Sequence, residues 1–388
     1  MMLVQGEGRG HMTQAIAVQD MLHRAGWDVC CVVVGSSSQR QIPAFFQSKF
    51  SVPLVCLPSP NFVTDNRCRS IRTWPTIWKN LWKAGAYLRS IRTIRKLFAF
   101  HQPDLVINFY EPLAGLCRIG YTAGPPMVSI AHQYVYIHPG FHFPRGNRWE
   151  HALLRGYSRL TAIGSDRVLA IAANPIPGKA PERLVVIPPV LRREVLSLHP
   201  HEAGYLLVYL LNQGYMDEIR RWHEAHPTVP LHCFTDSREV RDTYKGTWKV
   251  DDTLCFHALD DRAFLARLAG CHGVATTAGF ETVCEAMFLG KPVLMVPVEG
   301  HIEQSCNARD FAAMGAGIDD RSFRLDRLLE YIPQYRFQTE GYRQWVQAAE
   351  RIIMDQVCRV SRNETPVNEM VTPVVRMPDE PPSQAAVV

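Results

Sequence analysis

Two constellations in this chain carry residue types suited to anions and protons. Near the start, Gly6-Glu7-Gly8-Arg9-Gly10-His11 sets three glycines and a cation ahead of an imidazole. Glycines let the backbone approach a ligand closely, and an imidazole titrating near neutrality can take a proton from a hydroxyl. The spacing is G-x-G-x-G-H, with His11 where the third glycine of a dinucleotide fingerprint would stand, and the next strand ends in Val34-Gly35-Ser36-Ser37 without an acidic residue. Nicotinamide and flavin are therefore not expected, and no resident cofactor is required. The plainer use of His11 is to cap the helix that follows.

The second constellation is Thr276-Thr277-Ala278-Gly279-Phe280-Glu281-Thr282-Val283-Cys284-Glu285, then Gly290-Lys291-Pro292, Pro297 and Glu303-Gln304-Ser305-Cys306-Asn307. Thr277, Ala278, Gly279 and Phe280 fall at a predicted helix start, where free N–H groups and the helix dipole can hold a diphosphate without side-chain charge. Thr282 can add a hydroxyl, and Glu285 follows one and a half turns later. A capping glycine would explain any one of these residues; it has no need of the E-Q-x-x-N segment beyond the next strand. The Glu281 carboxylate is electrostatically awkward beside a diphosphate.

No Asp-x-Asp ends a strand, so amides, the helix dipole and Arg9 are left to stabilise a departing diphosphate, and independence of metal is expected. Two residues are candidates for the base, His11 and Glu111, the latter after the strand Leu105 to Phe109. A carboxylate beside an imidazole orients it and raises its proton affinity, so the two are expected to act as a pair. The plainer reading of Glu111 is a helix N-terminal carboxylate ahead of Pro112. His132, His138 and His142 crowd one stretch, but Pro139 and Gly140 break any helix that would stack the last two, so acceptor contacts are expected there rather than a metal.

These residues need a scaffold. Residues 2–5 read as a strand, the glycines as a turn, and Ala15, Ala17, Val18, Met21 and Leu22 as the apolar stripe of a helix closed by Gly26; Val29 to Val34 then form a second strand. That is a βαβ unit, which implies a parallel sheet. Further strands fit 53–57, 104–109, 127–131 and 185–187. A second α/β series begins at Tyr205 to Leu211 and ends at Asn212-Gln213-Gly214, with strands at 230–235, 254–257, 273–276 and 293–297 and helices at 260–269, 280–289, 303–314 and 340–357. The division expected is 1–195 for an N-terminal domain, 196–335 for a C-terminal domain, 336–358 for a helix returning to the first domain, and 359–388 for a disordered tail. A chain of 388 residues exceeds what one core usually organises, which agrees.

Lys plus Arg at 42 against Asp plus Glu at 37 leaves +5, too mild to argue for nucleic acid. Eleven scattered cysteines without a C-x-x-C pair fit a reducing cytoplasm, and no apolar run has the length of a membrane span. Trp74, Trp78, Trp82, Lys79, Lys83, Arg89, Arg92, Arg95 and Lys96 place aromatics at intervals of four beside a basic face. This fits an interfacial helix, and equally a core-facing Trp stripe with a solvated basic side.

Gly279, Glu285, Gly290, Pro292, Pro297, Glu303, Gln304 and Asn307 together resemble the donor-binding region of GT-B glycosyltransferases, particularly UDP-glycosyltransferases and the peptidoglycan-precursor N-acetylglucosaminyltransferase family. The opening glycine-and-histidine loop resembles the latter too. The resemblance implies an α/β fold of GT-B type, with two Rossmann-like domains whose parallel sheets face each other across a cleft, 1–195 binding the acceptor and 196–335 the nucleotide-sugar donor. It implies that Glu285 accepts hydrogen bonds from ribose hydroxyls, that Glu303 and Gln304 grip the donor sugar, and that Gln213 and Gly214 form a phosphate-contacting loop, with Gly8, Arg9 and Gly10 on the opposite side. Thr277 and Glu281 stand where many relatives have His and Asn.

The implied activity is inverting, metal-independent transfer of a hexosyl or N-acetylhexosaminyl group from a UDP-sugar, or another nucleotide diphosphate sugar, to an acceptor hydroxyl. The nucleotide sugar is a co-substrate. The acceptor is a small molecule, a glycan or a lipid-linked species, and peripheral association with the inner face of the membrane goes with the last. The alternatives are a non-hydrolysing UDP-sugar epimerase, which shares the fold, and a non-catalytic nucleotide-sugar-binding protein.

Overall fold

The computed structural model describes residues 1–36, 42–60, 82–121, 124–146, 148–210 and 213–364. The first sheet is built from β1 (Met2–Gln5), β2 (Val32–Ser36), β3 (Leu54–Pro58), β4 (Val106–Phe109), β5 (Met127–Ala131), β6 (Arg167–Ile171) and β7 (Leu184–Ile187). All seven are parallel, in the order β3-β2-β1-β4-β5-β6-β7. The second contains β8 (Leu206–Leu210), β9 (Leu231–Thr235), β10 (Thr247–Lys249), β11 (Leu254–Ala258), β12 (Gly273–Thr276), β13 (Val293–Met295) and β14 (Gly317–Asp319), ordered β10-β11-β9-β8-β12-β13-β14, with only β10 antiparallel. Strands such as β4, β5 and β12 are buried along their whole length, because helices cover both faces of a parallel sheet.

The strand order reverses between β1 and β4 in the first sheet and between β8 and β12 in the second. At such a switch point the helices leave to opposite faces, and a crevice opens outside the carboxyl ends of the strands. Gly6 to His11 follows β1, Glu111 follows β4, Gln213-Gly214 follows β8 and Thr277–Gly279 follows β12, so the fold collects both constellations at its two crevices.

Three strands escaped the sequence reading. β6 opens on Arg167, while β10 and β14 are three-residue edge strands too short for a period to show. The helix expected over 340–357 is two, Thr339–Gln347 and Ala349–Ser361, meeting at Ala348. The second runs past residue 358, so ordered chain replaces the start of the expected tail; residues 365–388 lie outside the described residues. Its apolar face, with Ile352, Ile353, Val357 and Val360, packs on β5, β6 and β7. Arg167 Nε donates to Gln356 Oε1 at 3.0 Å, and Trp345 Nε1 to the Ala172 carbonyl at 3.2 Å.

Close packing of the helices around the first switch point rests on one glycine. A Cβ on Gly115, in the helix Pro112–Arg118, would lie 1.9 Å from the Leu160 carbonyl oxygen of the helix Arg148–Thr161. That backbone cannot swing aside like a side-chain tip. Gly115→Ala is expected to cost about 1–3 kcal/mol, read as a lower urea midpoint at unchanged slope.

Candidate functional site

The turn after β12 is strained where a ligand would approach. Ala278 has φ +58°, a left-handed conformation that a Cβ disfavours, and costs of this kind, about 1–3 kcal/mol, persist mainly where function needs the shape. Gly279 then caps the helix Phe280–Phe288 without a side-chain hydrogen bond, and a Cβ there would meet open space. The first-turn amides are thus presented with no side-chain cap. Thr276 Oγ1 and Thr277 Oγ1 are buried with no partner among the described residues, while Thr282 is half-buried. Tyr110, at the end of β4, has φ +59°, so the first switch point repeats the device.

Asn307 explains how the strained turn is held. Its Nδ2 donates to the Ala278 carbonyl at 3.1 Å, and its Oδ1 bonds His132 Nε2 of the first lobe at 2.8 Å. His132 Nδ1 bonds the Ile171 carbonyl, and its ring stacks on Phe280 at 3.7 Å. Gln133 Nε2 donates to Glu303 Oε1 at 3.1 Å, so Glu303 stands at the junction of the lobes. Gln304 is buried and its Oε1 accepts the Val298 N–H, which commits that oxygen to the loop ahead of its own helix. His138 Nδ1 accepts the Gly140 N–H, whereas His132 bonds across to Asn307. Among the described residues the fold gathers no group of three or more potential metal ligands.

His11 lies in the first turn of the helix Arg9–Arg24, whose cap residue Gly8 again supplies no side-chain bond. Its ring stacks on Tyr110 at 5.4 Å, and Nδ1 is buried without a partner among the described residues. Burial pushes the imidazole down to about 4, against the opposing pull of the Glu303 carboxylate. It is neutral at pH 7 and able to accept a proton.

The expected pair of His11 and Glu111 does not form. Glu111 is fully buried, and its Oε1 accepts the Ser59 hydroxyl and the Leu113 N–H, the helix-capping role. Its other oxygen has no partner among the described residues and presses on Gly35, where a Cβ would fall 2.0 Å away. Burial pushes this carboxyl up to about 8, so near neutrality it is mostly protonated and poorly suited to act as a base. The Tyr110 ring occupies the place beside the imidazole that the carboxylate was expected to fill.

A carboxyl bound more strongly to its proton when folded than when unfolded stabilises at low pH, and that contribution fades as pH rises through the folded value. For Glu111 the window runs from about 4.5 to about 8, with a slope of at most about 1.4 kcal/mol per pH unit. Wild type is expected to lose more stability than Glu111→Gln between pH 5 and pH 8, measured by urea unfolding; parallel losses would remove Glu111 as the source.

Glu285 is 3% exposed, more enclosed than a cleft-facing carboxylate, and lies where the lobes cross. Arg192, from the segment joining β7 to β8, donates to its Oε1 through Nη2 at 2.6 Å and Nε at 3.1 Å. Burial raises the Glu285 carboxyl, and the guanidinium opposes this. Arg192 also approaches Asp261 at 3.5 Å, and Asp261 pairs with Arg9 of the glycine loop at 2.9 Å. Arg9 further covers the Phe45 ring at 4.4 Å. Beside this network a cleft of about 480 Å³ opens between Arg9 and Phe45 on one side and Thr235, Ser237, Arg241 and Leu259 on the other.

Glu281 departs furthest from expectation. Gln14 Nε2 of the first lobe donates to its Oε1 at 2.5 Å, and a Cβ on Gly10 would lie 2.6 Å from its Oε2. The carboxyl is spent on joining the lobes. Gln213 and Gly214 form a short 3-10 turn after β8; the Gln213 side chain, Asn212, Ser37, Trp74, Trp78 and Lys79 lie outside the described residues. Sequence reasoning missed Gln14, Tyr110, Arg192 and Asp261, none of which carries a local signal. His132 was singled out for acceptor contacts, and its ring nitrogens are instead taken by Asn307 and the Ile171 carbonyl.

Among solved structures, the glycotransferase of kitacinnamycin aligns over 92% of this chain and 98% of its own with a TM-score of 0.62 and 16% identity. MurG of Acinetobacter baumannii aligns over 92% and 98% with a TM-score of 0.52 and 18% identity. In sequence, the UDP-N-acetylglucosamine–N-acetylmuramyl-(pentapeptide) pyrophosphoryl-undecaprenol N-acetylglucosamine transferase of Rhizobium johnstonii is 25% identical over 81% of this chain and 80% of its own. The protein of the same name from Brucella anthropi is 26% identical over 85% and 84%. The family model described as glycosyl transferase family 1 matches residues 1–334, which takes in both sheets and both switch-point turns. The chain belongs to that family and is a glycosyltransferase of GT-B fold, two Rossmann-like domains meeting across a cleft.

Proposed function

We propose that the enzyme moves a hexosyl or N-acetylhexosaminyl group from a UDP-sugar to an acceptor hydroxyl at the first lobe, with inversion and without a metal ion. The observation that carries this is the uncapped, strained turn at Ala278-Gly279 set against the His11 loop, with Gly10 in contact with Glu281 across the junction. The diphosphate lies on the amides of residues 279–282, where the dipole offsets charge as the nucleotide departs. Gln213 and Gly214 close on it from β8 and Arg9 from the opposite lobe. Glu285, held by Arg192, accepts the ribose hydroxyls, and the cleft beside Leu259 takes the base. Glu303 and Gln304 face the sugar, and neutral His11 removes the acceptor proton as the anomeric carbon becomes oxocarbenium-like.

The relatives from Rhizobium and Brucella carry a pyrophosphoryl-undecaprenol acceptor in their names, which favours a lipid-linked acceptor and association with a membrane surface. Among the described residues no helix is long and apolar enough to cross a membrane. The helix Ala84–His101 buries Tyr87, Ile94 and Phe98, leaving Leu88 and Phe100 outward beside Arg89, Arg92 and Lys96; Trp82, just ahead of it, is 88% exposed and so is not part of a core stripe. Apolar and basic groups on one exposed side suit an anionic lipid surface.

A thermal-shift screen of nucleotide sugars tests the donor: a UDP-sugar is expected to raise the melting temperature, and UDP release is expected to accelerate when acceptor is added. Interconversion of UDP-sugars without acceptor would point to an epimerase, and binding without turnover across an acceptor panel to a sensor. Turnover is expected to survive chelator; loss restored by manganese would overturn the metal-free reading.

A further inference from the structure

Resting on the transferase reading, the geometry points to Gln14 and Glu281 as positioning residues for His11. The carboxylate of one lobe fixes the carboxamide of the other, and the carboxamide holds one imidazole nitrogen so that the second stays bare for the acceptor hydroxyl. The role is vacant because Glu111, the carboxyl expected to orient the ring, is capping its own helix.

His11 and Gln14 are three residues apart on one helix, so their side chains are neighbours. Both are buried; His11 Nδ1 and Gln14 Oε1 are each left without a hydrogen-bond partner among the described residues, so that each can serve the other, and the carboxamide favours the charged form of the imidazole beside it. Gln14 Nε2 meanwhile donates to Glu281 Oε1 at 2.5 Å. An ionised carboxylate only accepts, so it draws the amide N–H to itself and turns the amide oxygen toward His11. An oxygen there demands an N–H at Nδ1, which leaves Nε2 with its lone pair. Gly10 is the residue that lets the carboxyl come so close. The other groups around the imidazole are the Tyr110 ring stacked on it, His132, and the Glu303 carboxylate, which is taken up by Gln133. Glu281 in turn feels Glu303 and Glu285.

The tautomer is read directly by nitrogen NMR of the full chain labelled with 15N-histidine. The measurement is made at pH 8, above the value of about 7 to which burial pushes the Glu281 carboxyl, and His11 is assigned by the signal lost in His11→Ala. The wild type is expected to carry the proton on Nδ1, and Gln14→Leu to move population to Nε2–H. A wild-type Nε2–H form, or a tautomer indifferent to Gln14→Leu, overturns the inference. This readout needs no donor, so if no nucleotide sugar binds, the transferase reading fails while the tautomer result stands by itself. In kinetics, Gln14→Glu sets two carboxylates against each other and is expected to lower kcat about tenfold or more with little change in donor KM. Adding Glu281→Gln exchanges the two groups and is expected to recover most of the loss. A double variant no faster than Gln14→Glu overturns the inference.

Discussion

His11→Ala is expected to lower kcat by about 10²- to 10⁴-fold while donor Kd changes by less than about threefold. The separation follows from placement: the imidazole belongs to the glycine-loop helix of the first lobe, whereas the amides proposed to take the diphosphate belong to the second. Since burial holds the ring down to about 4, its neutral form persists across pH 5 to 8. The acid limb of kcat/KM is accordingly expected nearer pH 4 than the usual histidine value of about 6.5. Paired measurements of turnover and of UDP-sugar affinity check the first point. Unchanged kcat in a variant that still melts cooperatively would take His11 out of the mechanism.

Glu285→Gln is expected to weaken UDP-sugar binding about 10- to 100-fold, the worth of losing about 1.5–3 kcal/mol of charge-assisted hydrogen bonding. Gln keeps the volume but offers a single acceptor oxygen and no charge. Because Arg192 sits against the same carboxylate, stability is expected to fall as well, since a buried guanidinium loses part of its counter-charge. Titration with UDP and with a UDP-sugar separates the two effects. Donor affinity equal to wild type alongside a lowered melting temperature would mean that Glu285 serves only the segment joining the lobes.

What could be read in advance was local. The β1-glycine-helix unit and the β12-glycine-helix unit each lie within a few dozen residues, and period and turn chemistry reveal them without tertiary context. Glu111 shows the limit: its helix-capping use was legible from Pro112, but its burial depends on Gly35 and Ser59, which reach it from β2 and from just beyond β3. Gln14 and Glu281 are 267 positions apart and Arg192 and Glu285 93 apart, so nothing along the chain marks them as partners. A motif reserves a place for a carboxylate. Which cation or amide will meet it there is settled by the way the lobes close.

The helix Ala349–Ser361 completes the cover of β5, β6 and β7, although it is made long after them. At about 5–20 residues per second, roughly ten to thirty seconds of synthesis separate Ile187 from Ala349. Through that interval the nascent amino-terminal half must wait on the ribosome with an oily flank uncovered. Chaperone demand should therefore persist until residues 349–361 have been made, and a stop codon as late as position 348, which spares both sheets, should leave the same flank bare.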